Sequence, residues 1–80
     1  SQSDLAIVIR SYERVLKLID AKSEQVPDLL NDIGNLYWMK ARGRDGESVV
    51  NLEKALKAYQ FALARTSPEQ QSQTYAMIQN

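Results

Sequence analysis

The sequence predicts an all-α protein of about four helices, stacked as antiparallel pairs. Three observations predict it. Apolar residues recur at steps of three and four along most of the chain. No segment alternates apolar and polar residues over a useful length, so no strand is expected. The first and third helical stretches match each other at a fixed offset of 47 residues, as stacked repeats do.

The first helix is expected over roughly residues 4 to 21. Leu5, Val8, Ile9, Tyr12, Val15, Leu16 and Ile19 form one apolar stripe. Ser3 suits the N-cap, and Asp4 suits the first turn, where the helix dipole favours an acid. Ile7 and Leu18 lie off the stripe and imply a second contact surface. Residues 21 to 25 form a short polar link. Pro27 fits the first turn of the second helix, where its missing N–H costs nothing. Leu29, Leu30, Ile33, Leu36, Tyr37 and Ala41 give that helix a wide apolar face. Residues 41 to 47 carry two glycines and mixed charge, so a loop is expected there. The third helix begins between Ser48 and Asn51 and ends near Thr66. Leu52, Ala55, Leu56, Tyr59 and Leu63 are its main stripe, with Ala58, Phe61 and Ala62 beside it. Ser67, Pro68 and Gln70 then read as N-cap, N1 and N3 of a fourth helix carrying Tyr75 and Ile78.

Composition narrows the function. The 80 residues are 44% hydrophobic and 25% charged, the balance of one globular domain. Ten basic residues offset ten acidic ones, whereas nucleic-acid binders usually carry a basic excess. No nucleic-acid or membrane partner is expected. There is no Cys and no His. Disulfides, thiolate metal sites, Ser-His triads and the usual near-neutral proton shuttle are therefore excluded. No apolar run approaches the roughly 20 residues of a membrane span. No secretory leader is visible, and the chain starts at Ser1 without a Met, as a processed or excised piece would. A cytoplasmic protein is expected.

The internal repeat is specific in its order. Leu5, Val8, Ile9, Tyr12, Val15 and Leu16 align with Leu52, Ala55, Leu56, Tyr59, Ala62 and Leu63. Val26 and Asn31 align with Tyr75 and Asn80 at an offset of 49, the two extra residues falling in connections, where insertions are cheap. Leu30-x2-Ile33-Gly34-x2-Tyr37, then Ala55-x3-Tyr59, then Pro68 resembles the tetratricopeptide repeat (TPR) pattern. Leu30 stands where that pattern prefers Trp, Ile33 where it prefers Leu, and Tyr59 where it prefers Phe. Residues 1–22 correspond to helix B of a preceding repeat. Residues 26–66 are one full repeat with a long loop over 41–50, and 67–80 start the next helix A. From Tyr37 to Ala55 is 18 positions, where a 34-residue TPR has about nine. The string Asn31-Asp32-Ile33-Gly34-Asn35-Leu36-Tyr37 resembles the longer repeats of kinesin light chains and bacterial multi-repeat signalling proteins. The fold implied is a TPR-like α-α superhelix. Gly34, inside a helix, costs about 1 kcal/mol relative to Ala, which a close crossing against a small residue such as Ala55 would offset.

The resemblance also implies a site. Asparagines at these helix A positions hydrogen-bond extended peptides in TPRs, so Asp28, Asn31, Asn35, Trp38 and Met39 would line the concave face. The plainer alternative is that Asn31 and Asn35 cap loops or face water, and that Trp38 is buried by the next repeat. Only Lys40 offers a cation on this helix, which argues against clamping a peptide carboxylate. Tyr12, Tyr37 and Tyr59 are expected in the core. Arg42, Arg44, Asp45 and Glu47 are expected as solvated loop charges, with a specific docking role as the alternative. Gly43 and Gly46 lack the Lys-Ser/Thr ending of a phosphate loop. The function expected is a non-enzymatic interaction module, without cofactor, binding a protein or peptide. The alternative is a self-associating domain, a homo-oligomer formed through exposed solenoid ends, with the first helix, Ile7 and Leu18, as the suspect surface.

Overall fold

The computed structural model describes residues 2–43 and 47–66. Among them the chain is all-helical: α1 (Gln2–Leu18), α2 (Gln25–Ala41) and α3 (Ser48–Ala64). The expected fourth helix, with Tyr75, Ile78 and the capping residues Ser67, Pro68 and Gln70, lies outside the described residues. So does the Arg44–Gly46 part of the loop.

Each helix end has a local cause. α1 begins before Ser3, so Ser3 lies inside the first turn and is not the cap. Asp4 in the first turn and Lys17 in the last both complement the dipole. The helix stops at Leu18, short of the expected residue 21, because Asp20 offers the backbone a competing turn. Its carboxylate accepts the Lys22 N–H at 2.8 Å, and its carbonyl accepts the Ser23 N–H at 2.9 Å. Ser23 then opens α2. Its hydroxyl accepts the Gln25 N–H at 3.2 Å, and its carbonyl accepts the Val26 N–H at 3.1 Å. Pro27 falls in the first turn, where no intrahelical bond is lost. α2 closes with tightened bonds from Arg42 N–H to Met39 O and from Gly43 N–H to Lys40 O. The Ser48 hydroxyl donates to the Ala41 carbonyl at 2.8 Å, tying the start of α3 to the end of α2.

α2 lies between the other two helices, and both pack antiparallel to it. Leu16, late in α1, and Ile19, just past its end, meet Val26 and Leu30, early in α2, together with Ala62, late in α3. Ile9, Ile33, Ala41, Ala55 and Ala58 extend the buried set. Gly34 is buried, and the nearest atoms to its open side belong to the Tyr59 ring. A β-carbon at residue 34 would stand 2.5 Å from Tyr59 Cε1.

α3 packs differently from the expectation. The buried row is Asn51, Ala55, Ala58 and Ala62, whereas Leu52, Leu56 and Leu63 of the expected main stripe are exposed. Small side chains let the α2 and α3 backbones approach, and the bulky leucines turn outward. Ile7 and Leu18 of α1 are exposed too, so among the described residues no second contact surface forms there. The three tyrosines are half-buried rather than core residues. Those of α2 and α3 pack their rings between helices and carry their hydroxyls to polar partners, as amphipathic side chains do.

Candidate partner-binding face

The five residues singled out by the sequence share one side of α2. At about 100° per residue, Trp38, Asn31, Asn35, Asp28 and Met39 fall within an arc of about 100°. The buried residues Val26, Leu30, Ile33 and Gly34 face the other way. Asp28, Asn35, Trp38 and Met39 are exposed and Asn31 is half-buried. Trp38 keeps 45% of its surface open to solvent, so none of the described residues buries it.

Two contacts fix this face. Tyr59 reaches across from α3, and its hydroxyl donates to Asn35 Oδ1 at 2.5 Å. Burial of that phenol pushes its pKa up, keeping the hydroxyl a donor. Asn35 therefore holds the helix pair together through its carbonyl, while its amide NH2 remains a donor on an exposed residue. The Arg42 guanidinium lies over the Trp38 ring, 4.8 Å from its centroid, within cation–π range. Arg42 extends the row Asn31, Asn35, Trp38 by another four positions. The sequence places Arg42 among the loop charges, without its stacking on Trp38. The signal was the 4-3-4 spacing of these four residues on a helix that runs to Ala41.

The face is electrically graded. The N-cap Glu24, with Asp28 and Asp32 in the first half of α2, is exposed, and so is the C-cap Arg42 at the other end. Among the described residues, no group of three or more Asp or Glu side chains could hold a metal ion. No helix there is long and apolar enough to cross a membrane.

Tyr37 serves the scaffold instead. Its hydroxyl donates to Glu13 Oε2 of α1 at 3.0 Å, and Lys54 of α3 stands 5.5 Å from its ring centroid. One side chain of α2 thus touches both neighbouring helices. Burial, and then the Glu13 hydrogen bond and charge, raise its pKa to about 12. An apolar recess of about 230 Å³ opens where the helix ends meet, lined by Leu16, Ala21, Val26, Leu30, Phe61 and Arg65. It lies between α1 and α3, apart from the Asn31–Arg42 row.

Compared with profiles of known protein families, with curated proteins and with solved structures, the chain matches none.

Proposed function

We propose that this chain is a non-enzymatic, TPR-like helical module that binds a peptide or helix of a partner protein along the exposed face of α2, in the concave groove that the TPR resemblance implies. The observation that carries the reading is the unburied Trp38, stacked by Arg42 and continuous with Asn31 and Asn35. A half-exposed aromatic beside polar donors is the composition of an interface anchor. Asn31 and the free NH2 of Asn35 can pair with a partner's backbone. Met39 adds adaptable apolar contact. The charge gradient sets polarity: an acidic end of the partner lies toward Arg42 and a basic end toward Asp28. The superhelical part of the proposal is supported by the offset-47 match of α1 and α3 and by their packing on opposite flanks of α2. The close approach at Gly34 supports it as well.

The test is selection of binding peptides from a displayed random library, followed by variants. Peptides that bind this face lose affinity at least tenfold with Trp38→Ala, since a central aromatic carries about 2 kcal/mol or more. Asn31→Ala weakens them by a smaller factor. Ile7→Asp, on α1, leaves them unchanged. Selected peptides indifferent to both Trp38 and Asn31 would refute the reading.

A further inference from the structure

The exposed charges of α1 and α2 are sorted into two rows of opposite sign. On α1, Arg10, Arg14 and Lys17 are exposed and fall within an arc of about 60° at about 100° per residue. Glu13, the acid nearest them, is half-buried and accepts the Tyr37 hydroxyl. A recess of about 470 Å³ runs along the basic row, lined by Ile7, Arg10, Ser11, Glu13, Arg14 and Lys17. On α2, Glu24, Asp28 and Asp32 are exposed at steps of four, within an arc of about 80°. The helix dipole favours Lys17 in the last turn of α1 and Asp28 in the first turn of α2. It gives no such reason for Arg10, Arg14 or Asp32, and like charges four residues apart repel each other along a helix.

Within one copy the two rows cannot meet. α1 turns Ile9 and Leu16 inward, α2 turns Val26, Leu30 and Ile33 inward, and the charged rows lie on the other sides. Between two copies they match in length. Arg10 to Lys17 is seven residues, about 10.5 Å of helix, and Glu24 to Asp32 is eight, about 12 Å. Set antiparallel, Lys17 stands opposite Glu24, Arg14 opposite Asp28 and Arg10 opposite Asp32, with offsets that the long basic side chains absorb. Beyond the charges each helix continues with an exposed apolar side chain, Ile7 at 54% on α1 and Met39 at 49% on α2. Ten basic and ten acidic residues cancel over the chain, so no net charge holds two copies apart.

We infer that the Arg10–Arg14–Lys17 row of α1 docks on the Glu24–Asp28–Asp32 row of α2 in a second copy of this chain, the two helices running antiparallel. The inference rests on the reading of the exposed face of α2 as a binding face, and it names the partner that meets the acidic end of that face. Charge complementarity identifies the occupant: the chain itself carries the row of opposite sign, at a matching length. Exposed ion pairs are individually weak and screened by salt, so the association is weak and salt-sensitive.

The test is sedimentation of the full chain over a wide range of concentration, at low and at high salt. The mean mass should rise with concentration at low salt and return to that of the monomer at high salt. Arg10→Glu with Arg14→Glu should leave the chain monomeric, and so, separately, should Asp28→Lys with Asp32→Lys. Mixed in equal amounts, the two variants should associate again, because the acidic row of the first meets the basic row of the second. All four positions are exposed, and unchanged helical circular dichroism verifies the fold of each variant. A monomer at every concentration would overturn the inference, as would association unmoved by either pair of substitutions or a mixture of folded variants that stays monomeric. Anionic phospholipid vesicles or a DNA oligonucleotide held by the α1 row of a monomeric chain would assign that row to another partner, which also overturns it. Library peptides that bind through Trp38 to a chain that stays monomeric would remove the second copy alone and leave the α2 face as a peptide site.

Discussion

Gly34→Ala sets two opposing effects against each other. Alanine favours the helix by about 1 kcal/mol over glycine. The added methyl, however, would lie 2.5 Å from Cε1 and 2.7 Å from Cδ1 of Tyr59. Ordinary carbon contacts are about 3.5–4.0 Å, so about 1 Å must be found. Either α2 and α3 part, loosening the alanine row, or the ring swings away and gives up its bond to Asn35. Overpacking of this kind costs about 1–3 kcal/mol. The net expectation is a loss of about 1 kcal/mol, or about 4–8 °C in Tm for a domain this small. In a Tyr59→Ala background the obstacle is gone, and Gly34→Ala should stabilise by about 1 kcal/mol. The coupling in the cycle is then about 2 kcal/mol. Urea unfolding followed by far-ultraviolet circular dichroism, at unchanged m-value, measures all four corners. A stabilising Gly34→Ala in the otherwise unaltered chain, or a cycle without coupling, would refute the close crossing.

Further expectations concern buried polar groups. Asn51 is 2% exposed, and its Nδ2 has no hydrogen-bond partner among the described residues. Asn51→Ala removes that unpaired donor and improves helix propensity, so stability should hold or rise by up to about 1 kcal/mol; a loss larger than that in urea unfolding would show that Asn51 does more than fill space. Tyr37 has its pKa raised from 10.0 to about 12 in the fold. The native state then holds the proton more tightly than the unfolded chain does. Its stabilising contribution is complete below pH 10 and is lost as pH rises toward 12. Tyr37→Phe should flatten that decline in Tm, leaving the smaller part due to Tyr59. Equal slopes in the two proteins would contradict the Glu13–Tyr37 pairing.

The helix count within the described residues, the link after α1 and the place of Pro27 were legible, because periodicity and proline chemistry act locally. The buried face of α3 was not. Hydrophobic periodicity weighs Leu52, Leu56 and Leu63 above Ala55, Ala58 and Ala62, yet the close approach to α2 selects small residues. Tertiary packing thus overrode side-chain size. The end of α1 was misjudged for a different reason: Asp20 and Ser23 hydrogen-bond their own backbone, and their spacing was read only as polar. At the candidate site, Asp28, Asn31, Asn35, Trp38 and Met39 were singled out by the resemblance to TPR helix A positions, and only the shared face of Asn31 and Asn35 came from their spacing. The double role of Asn35 was not legible, because it depends on a tyrosine 24 positions away.

The protein has a single indole, and it sits on the outer row of α2 rather than in the interior. Its intrinsic emission should therefore start near the red, water-like end and shift little when the chain melts. Its wavelength would respond instead to whatever shields that row or draws the guanidinium from its ring. The unlabelled chain thus carries its own optical gauge of occupancy, one largely blind to unfolding.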